Sequence, residues 1–180
     1  MDRPDQVAAD LSQAARERIA AIVARYPTRQ SALMPSLWVV QDELGWVPPA
    51  AVAYLVETLG VTLARVHELL TFYTMFRTEP PARHVLQVCR NISCHIMGAR
   101  AVIAHLEKRL GIRLGEKTPD GLFALEGVEC LGACGQGPVL QLGKHYYENL
   151  TPKKADALLE GLRKGAPPRA DTDRELEVGS

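Results

Sequence analysis

Residues 129–138 read Glu129-Cys130-Leu131-Gly132-Ala133-Cys134-Gly135-Gln136-Gly137-Pro138. Two cysteines, separated by three residues, lie in this glycine-rich stretch, and a second pair lies upstream at Cys89 and Cys94, separated by four. These are the only four cysteines among the 180 residues of the chain. Two thiolates on each of two loops form the donor set that a tetrahedral metal ion or a small iron–sulfur cluster needs. The spacing therefore predicts a metal centre.

The cysteine pattern by itself leaves the identity of the metal open. In a [2Fe-2S] cluster each iron takes two bridging sulfides and two protein thiolates, so one pair per iron would suffice. Structural zinc also accepts four thiolates at similar spacings. A redox dithiol and a set of buried unliganded cysteines are disfavoured, because neither pair is C-x-x-C and all four cysteines belong to the pattern. Iron–sulfur and zinc stay as alternatives at this point.

Composition excludes several classes of protein. With 180 residues and 47% hydrophobic content, the chain can bury a core in one large or two small domains. Lys and Arg together number 21, as do Asp and Glu, so we expect no nucleic-acid partner. The N-terminus does not resemble a secretory signal, and no apolar run approaches the ~20 residues that span a bilayer. We therefore expect a soluble cytoplasmic protein, in which clustered cysteines hold metal more often than they form disulfides.

Helical periodicity characterises the first part of the chain. Apolar residues recur there at intervals of three and four, which predicts four amphipathic helices. The last of these is expected to continue through the aromatic residues as far as Phe76. Pro80 and Pro81 then end the helical pattern. We expect a helical domain over residues 1–78.

Beyond the prolines, short apolar strands alternate with helices. The order strand, helix, strand, strand, strand, helix is predicted over residues 82–165. Each cysteine pair begins where a predicted strand stops, at Cys89 and at Cys130. Residues 166–180 contain two prolines and six charges, so we expect a tail that is disordered or ordered only by a partner. The fold class is therefore α+β, a helical bundle followed by an α/β domain.

Several motifs spread over residues 15–164 resemble one known family. They are Tyr26-Pro27, Gln41, Gly45-Trp46, Thr71-Phe72-Tyr73-Thr74-Met75-Phe76, Val88-Cys89, Ser93-Cys94, Thr118-Pro119-Asp120-Gly121 and Glu129-Cys130-Leu131-Gly132-Ala133-Cys134-Gly135. In combination they are similar to the thioredoxin-like [2Fe-2S] ferredoxin family, and within it to the small iron–sulfur subunit of the bacterial NADH-quinone oxidoreductase, respiratory complex I. The resemblance implies that the α/β domain is thioredoxin-like. It also implies a [2Fe-2S] cluster on Cys89, Cys94, Cys130 and Cys134.

The same resemblance implies a division of labour within a complex. A partner flavoprotein subunit would bind NADH and FMN, and the cluster of this chain would exchange one electron with that FMN. The chain would then bind neither nucleotide and would not be a catalyst alone. It would belong, with other subunits, to a peripheral arm on the cytoplasmic side of the membrane, without inserting into it. The glycines of residues 129–138 agree, since they lack the G-x-G-x-x-G order of a dinucleotide site.

Two other functions stay open at the level of the sequence. The equivalent diaphorase subunit of an NAD-linked hydrogenase or formate dehydrogenase would use the same chemistry. A zinc-stapled interaction module without a redox role belongs to a different class.

Three residues near the cysteines in sequence carry further expectations. Arg90 and His95 could add a positive field to the centre, and N–H groups of the glycine-rich loop could donate to the sulfurs. His95 could also replace Cys94 in a Rieske-like arrangement, although four cysteines suffice. Pro138 precedes a predicted strand as the cis-proline of thioredoxin folds does, and either isomer is compatible with the sequence.

Overall fold

The computed structural model describes residues 11–173. The chain forms two compact units, and the boundary between them falls between Pro81 and Ala82. Each unit has a hydrophobic core of its own. Within the described residues, no helix is both long enough and apolar enough to cross a membrane.

Four α-helices build the described part of the first unit. They are α1 Gln13–Arg25, α2 Leu33–Leu44, α3 Pro49–Leu59 and α4 Leu63–Phe72. Side-chain oxygens of Ser12 and Thr62 accept backbone N–H donors at the starts of α1 and α4, as N-terminal caps do. Gly45 and Gly60 end α2 and α3 in the left-handed conformation, which glycine adopts without strain.

The apolar faces of these helices enclose one core. Fully buried side chains from the four successive helices include Ile19, Leu37, Leu55 and Val66. Gln41 of α2 also holds the segment that follows α4. Its Nε2 donates to the carbonyl oxygen of Met75 at 2.9 Å, and its Oε1 accepts the N–H of Arg77 at 2.7 Å. The exit from the helical unit is therefore fixed by a side chain of its second helix.

Helix α4 is shorter than its apolar spacing predicted. It ends at Phe72, where Tyr73 takes up an extended backbone conformation. Phe76 is nonetheless buried and lies with its ring centroid 5.2 Å from that of Trp38, whereas Phe72 is 75% exposed. The spacing was misleading because the turn after the helix also directs an aromatic side chain into the core.

The second unit is built on a four-stranded sheet. Its elements are β1 His84–Cys89, α5 Ile92–Ile96, α6 Ala99–Leu110, β2 Phe123–Val128, a 3₁₀ helix Cys134–Gln136, β3 Leu140–Leu142, β4 His145–Tyr147, α7 Pro152–Arg163 and a 3₁₀ helix Asp171–Asp173. The strand order is β2-β1-β3-β4; β1 and β2 are parallel, and the other neighbours are antiparallel. The predicted mixed α and β architecture is confirmed. Side chains from β1, β2 and β3 pack with those of α6 and α7 in the core, among them Leu86, Val88, Leu125 and Leu140.

Residues 166–173 pack against this unit, although the sequence predicted a tail without fixed structure. The hydroxyl of Tyr147 donates to the carbonyl oxygen of Pro168 at 3.3 Å. Two backbone N–H groups in and just after β4 donate to side-chain oxygens of Thr172, at 3.1 Å, and of Asp171, at 2.8 Å. The segment therefore supplies hydrogen-bond acceptors to an edge strand.

Apolar and steric contacts complete the docking of this segment. Ala170 is 3% exposed and belongs to the core of the unit. At Gly161 of α7, an added Cβ would lie 2.7 Å from the carbonyl oxygen of Ala166, so the helix needs glycine where the chain crosses it. The composition was misleading because this segment packs mainly through polar side chains. These accept hydrogen bonds from backbone N–H groups, and the segment buries little apolar area. The rest of the predicted tail, residues 174–180, lies outside the described residues.

Removal of residues 166–180 is expected to lower the melting temperature by roughly 5 to 10 °C, since about three hydrogen bonds and a core contact are lost. Circular dichroism during heating measures this change. A chain that ends at Asp173 keeps every contact described above and serves as the control. Equal melting temperatures for the two truncated chains would contradict the expectation.

A charged cluster joins α6 to α7. Oδ1 of Asp156 lies 3.0 Å from Nε2 of His105 and 2.7 Å from Nε of Arg109. The hydrogen bond with His105 is the main reason that the pKa of Asp156 lies below its ordinary value of 3.8. A carboxyl group whose pKa is lowered by folding adds stability above its ordinary pKa. That stability is lost as the pH falls through the lowered value.

Asp156→Asn is expected to lower the melting temperature by about 1 to 3 °C near neutral pH. The difference from wild type should narrow as the pH falls below 3.8 and close once it is below the lowered pKa, because the folded wild-type carboxyl group is then neutral like the amide. Thermal unfolding at a series of pH values measures both effects. In the control Glu160→Gln, the carboxylate that is removed is 60% exposed and 4.0 Å from Arg109, so a smaller change is expected. A difference that stays constant with pH would refute this role of Asp156.

Candidate metal centre

Both cysteine pairs lie at the end of the sheet where the parallel strands β1 and β2 finish. Strand β1 ends at Cys89 and β2 ends at Val128, and these two residues are partners in the parallel register. Since parallel strands end at a common edge, the segments that follow them leave the sheet side by side. Cys94 lies in α5 of the first segment, and Cys130 and Cys134 lie in the second. The sheet thus brings together the four residues that the sequence singled out.

The four thiols are close neighbours. The Sγ atoms of Cys130 and Cys134 are 3.4 Å apart. Cys89 and Cys94 share a side-chain hydrogen bond, and Cys134 interacts electrostatically with both. All four are free cysteines. Between residues 11 and 173, no three His, Cys, Asp or Glu side chains surround one position as they would a single ion. The sulfurs instead form two adjoining pairs.

The two pairs differ in their access to solvent. Cys89 and Cys94 are 2% and 3% exposed, whereas Cys130 and Cys134 lie at the surface. His95 is exposed on α5, while the neighbouring Cys94 faces the other thiols. The arrangement therefore supports four cysteines rather than a Rieske-like set with His95. One side of the centre faces the interior and the other faces solvent.

Hydrogen-bond donors point at the exposed sulfurs. The N–H of Gly132 donates to Sγ of Cys130 at 3.4 Å and is the main cause that lowers the pKa of this thiol. The hydroxyl of Ser93, from the first cysteine segment, forms a hydrogen bond with the sulfur of Cys134. Donors of this kind stabilise thiolates and tune iron–sulfur centres. The expected donation from the glycine-rich loop is confirmed at Gly132.

Burial has the opposite effect on Cys94. It raises the pKa of this thiol to about 11, and the hydrogen bond with Cys89 adds to the rise. A hydrogen bond from the backbone of Val139 partly offsets these effects. The pKa of Cys134 is also raised, first by its hydrogen bond with Cys130. A metal that binds these sulfurs must displace protons, so binding is coupled to proton release.

Gly137 lies closely against one of the thiols. A Cβ at this position would lie 3.3 Å from both Cα and Sγ of Cys94, and 3.1 Å from Sδ of Met97. A larger residue would therefore press on a candidate ligand. The peptide bond between Gly137 and Pro138 is cis, which is one of the two isomers that the sequence allowed.

These residues fit a [2Fe-2S] cluster. Each iron in such a cluster needs two thiolates, and the structure offers two adjoining pairs of thiols. Cys89 with Cys94 could bind one iron, and Cys130 with Cys134 could bind the other. The donors to the exposed sulfurs agree with this donor set.

Glu129 joins the two cysteine segments and was missed by the sequence analysis. Its carboxylate oxygens accept hydrogen bonds from Arg90 at 3.2 Å and from Asn91 at 3.1 Å. The charge of Arg90 is therefore paired, so the positive field expected from it is offset. The sequence does contain a signal for this contact, namely an acidic residue directly before Cys130 and a basic residue directly after Cys89. The signal can be interpreted only once β1 and β2 are known to be parallel neighbours.

Comparison with known proteins relates this centre to one family. The family model described as thioredoxin-like [2Fe-2S] ferredoxin matches residues 19–163. The chain is 51% identical over 148 residues to an NADH-quinone oxidoreductase subunit of Rhizobium meliloti, and the match covers 82% of this chain and 88% of that protein. It is 41% identical over 145 residues to NADH-quinone oxidoreductase subunit 2 of Thermus thermophilus, with coverages of 79% and 80%.

A solved structure adds a likeness of fold alone. An NAD⁺-reducing [NiFe]-hydrogenase in the air-oxidised state matches with a TM-score of 0.67 and 24% identity, over 75% of this chain. The chain spans about a quarter of that hydrogenase chain, since the match covers 23% of it. Because the family model extends over both units and the relatives agree along most of their length, the chain belongs to the thioredoxin-like [2Fe-2S] ferredoxin family.

Proposed function

We propose that this chain is an electron-transfer subunit of NADH-quinone oxidoreductase, complex I. Its cluster is held by Cys89, Cys94, Cys130 and Cys134. The observation that carries the proposal is the assembly of four thiols as two adjoining pairs at one sheet edge. When bound, a [2Fe-2S] cluster supplies a centre that accepts and releases a single electron. The proposed electron partner is the FMN of an NADH-oxidising flavoprotein subunit.

The protein residues give this centre a buried side and an accessible side. Cys89 and Cys94 are enclosed by the second unit and fix the centre to the end of the sheet. Cys130 and Cys134 lie at the surface, so a partner that docks over their loop comes closest to the centre. The N–H of Gly132 stabilises negative charge on a sulfur of this loop, which favours the reduced state.

The proposed partners follow from the names of the relatives. Two relatives that match most of the chain are subunits of NADH-quinone oxidoreductases. We place the chain beside the flavoprotein subunit and other subunits of a peripheral arm, on the cytoplasmic side of the membrane. In this assignment the flavoprotein binds NADH and FMN, and the chain contributes the cysteine centre.

The second candidate is the corresponding subunit of an NAD-linked hydrogenase or formate dehydrogenase. The likeness to the hydrogenase is one of fold at 24% identity, whereas the NADH-quinone oxidoreductase subunits share 51% and 41%. The greater similarity favours complex I. A zinc-stapled interaction module is disfavoured because the family that contains the chain is one of [2Fe-2S] ferredoxins.

Anaerobically purified protein is expected to be brown, to contain equal amounts of iron and acid-labile sulfide, and to give an electron paramagnetic resonance (EPR) signal after reduction with dithionite. Cys134→Ala should lose most of this signal, because one iron is left with a single protein thiolate. His95→Ala is the control and should retain it, since His95 is exposed beside the centre. Colourless protein that contains zinc would contradict the proposal, as would a normal EPR signal in Cys134→Ala.

Co-expression with the NADH-binding flavoprotein encoded in the same genome is expected to yield a stable pair. NADH added to the pair should produce the EPR signal that dithionite produces in the isolated chain. NADH added to the isolated chain should produce none, because the proposed nucleotide sites are in the partner. Purification of the native complex distinguishes the second candidate: hydrogenase or formate dehydrogenase subunits in place of quinone-reducing ones would count against complex I.

A further inference from the structure

The hydroxyl group of a tyrosine in the last strand contacts the loop that carries the second cysteine pair, residues 130–136, called here the second cysteine loop. Tyr146 is the central residue of β4 and pairs with Gln141 of β3. Its hydroxyl donates a hydrogen bond to the carbonyl oxygen of Leu131 at 3.0 Å. Leu131 directly follows Cys130 in the chain. The side chain of Tyr146 also packs against the buried group that contains Cys89 and Cys94.

The backbone of Tyr146 is held on both sides. One side of β4 pairs with β3 in the sheet. On the outer side, the N–H of Tyr146 donates to Oγ1 of Thr172 at 3.1 Å. The N–H of Glu148, just after the strand, donates to Oδ2 of Asp171 at 2.8 Å. A tyrosine whose backbone and ring are both restrained presents its hydroxyl at a defined position.

The two ends of the second cysteine loop are fastened by different groups. At the far end, the carbonyl oxygen of Gln136 accepts the backbone N–H of Asn149 at 2.7 Å. At the near end, the Tyr146 hydroxyl holds the carbonyl oxygen of Leu131. The next residue, Gly132, has a φ of +85°, in a region that glycine enters freely. The side-chain contact therefore restrains the loop directly next to an adaptable glycine.

We propose that Tyr146 is a positioning residue for the metal centre. By holding the carbonyl oxygen of Leu131, its hydroxyl keeps Cys130 and the N–H of Gly132 in place relative to the other thiols. This inference rests on the proposed function, in which Cys130 is a ligand. Loss of the hydroxyl frees the exposed side of the centre, so iron leaves faster and the surroundings of the sulfurs change.

Tyr147 offers a matched control. Tyr146→Phe and Tyr147→Phe each remove one hydroxyl that donates to a backbone carbonyl oxygen, that of Leu131 in the first case and of Pro168 in the second. The first bond leads to the cysteine loop, and the second leads to the C-terminal segment. A difference between the two variants therefore reports on the loop rather than on general stability.

The test compares the holoproteins by iron release to an Fe(II) chelator, by EPR after dithionite reduction and by melting temperature. Tyr146→Phe is expected to release iron roughly 2- to 10-fold faster than wild type, the range that corresponds to one hydrogen bond. Its EPR g values should also shift. Tyr147→Phe is expected to release iron within about twofold of wild type and to keep the wild-type g values, even if its melting temperature falls.

Two results would overturn the role of Tyr146. One is an unchanged release rate and EPR spectrum in Tyr146→Phe. The other is an equal change in both variants, because the hydroxyl would then act through overall stability alone. Purification of Tyr146→Phe without its cluster, while Tyr147→Phe retains it, would support the role. Failure of the proposed function looks different: wild-type protein would lack the cluster, or Cys134→Ala would keep it.

Discussion

The parallel pairing of β1 with β2 is the constraint on which the metal centre depends. Its register sets Cys89 opposite Val128, so the chain leaves both strands at one edge and in neighbouring positions. The same register sets Leu86 opposite Leu125, and both are fully buried. A slip of one residue would turn these leucines out of the core and move the cysteine segments apart. Burial of the sheet therefore also specifies where the sulfurs meet.

The two sides of the centre are stabilised by different means. The pair formed by Cys89 and Cys94 is enclosed by protein, and burial raises the pKa of the Cys94 thiol. The pair formed by Cys130 and Cys134 is exposed, so its loop cannot rely on packing alone. Polar contacts from outside the loop compensate, because each fixes one point of an otherwise adaptable backbone. Glu129 to Arg90 is one of them, and the hydroxyl of Tyr146 to Leu131 is another.

The C-terminal segment, residues 166–173, covers an edge strand and also helps to hold a residue that contacts the second cysteine loop. An edge strand presents unpaired N–H and C=O groups, and β4 lies at an edge of this sheet. Thr172 accepts a hydrogen bond from the strand, and Asp171 accepts one from the residue just after it. These contacts keep Tyr146 in place. This short polar segment thus accepts hydrogen bonds from otherwise unpaired N–H groups at the edge of the sheet. Because it also restrains Tyr146, it helps to fix the position of the cysteine loop.

The sequence by itself determined the helical first unit, the four strands and two longer helices of the second, and the four thiols as candidate donors. Each of these is recorded locally, in apolar periodicity or in the identity of a residue. The sequence did not indicate the short helix α5, which holds Cys94. Only the tertiary structure decided which thiols are buried, that Glu129 bridges the two segments and that residues 166–173 dock on β4. The physical reason is that these contacts join residues far apart in the chain. Their existence depends on strand register and on the direction of each turn, which local patterns do not record.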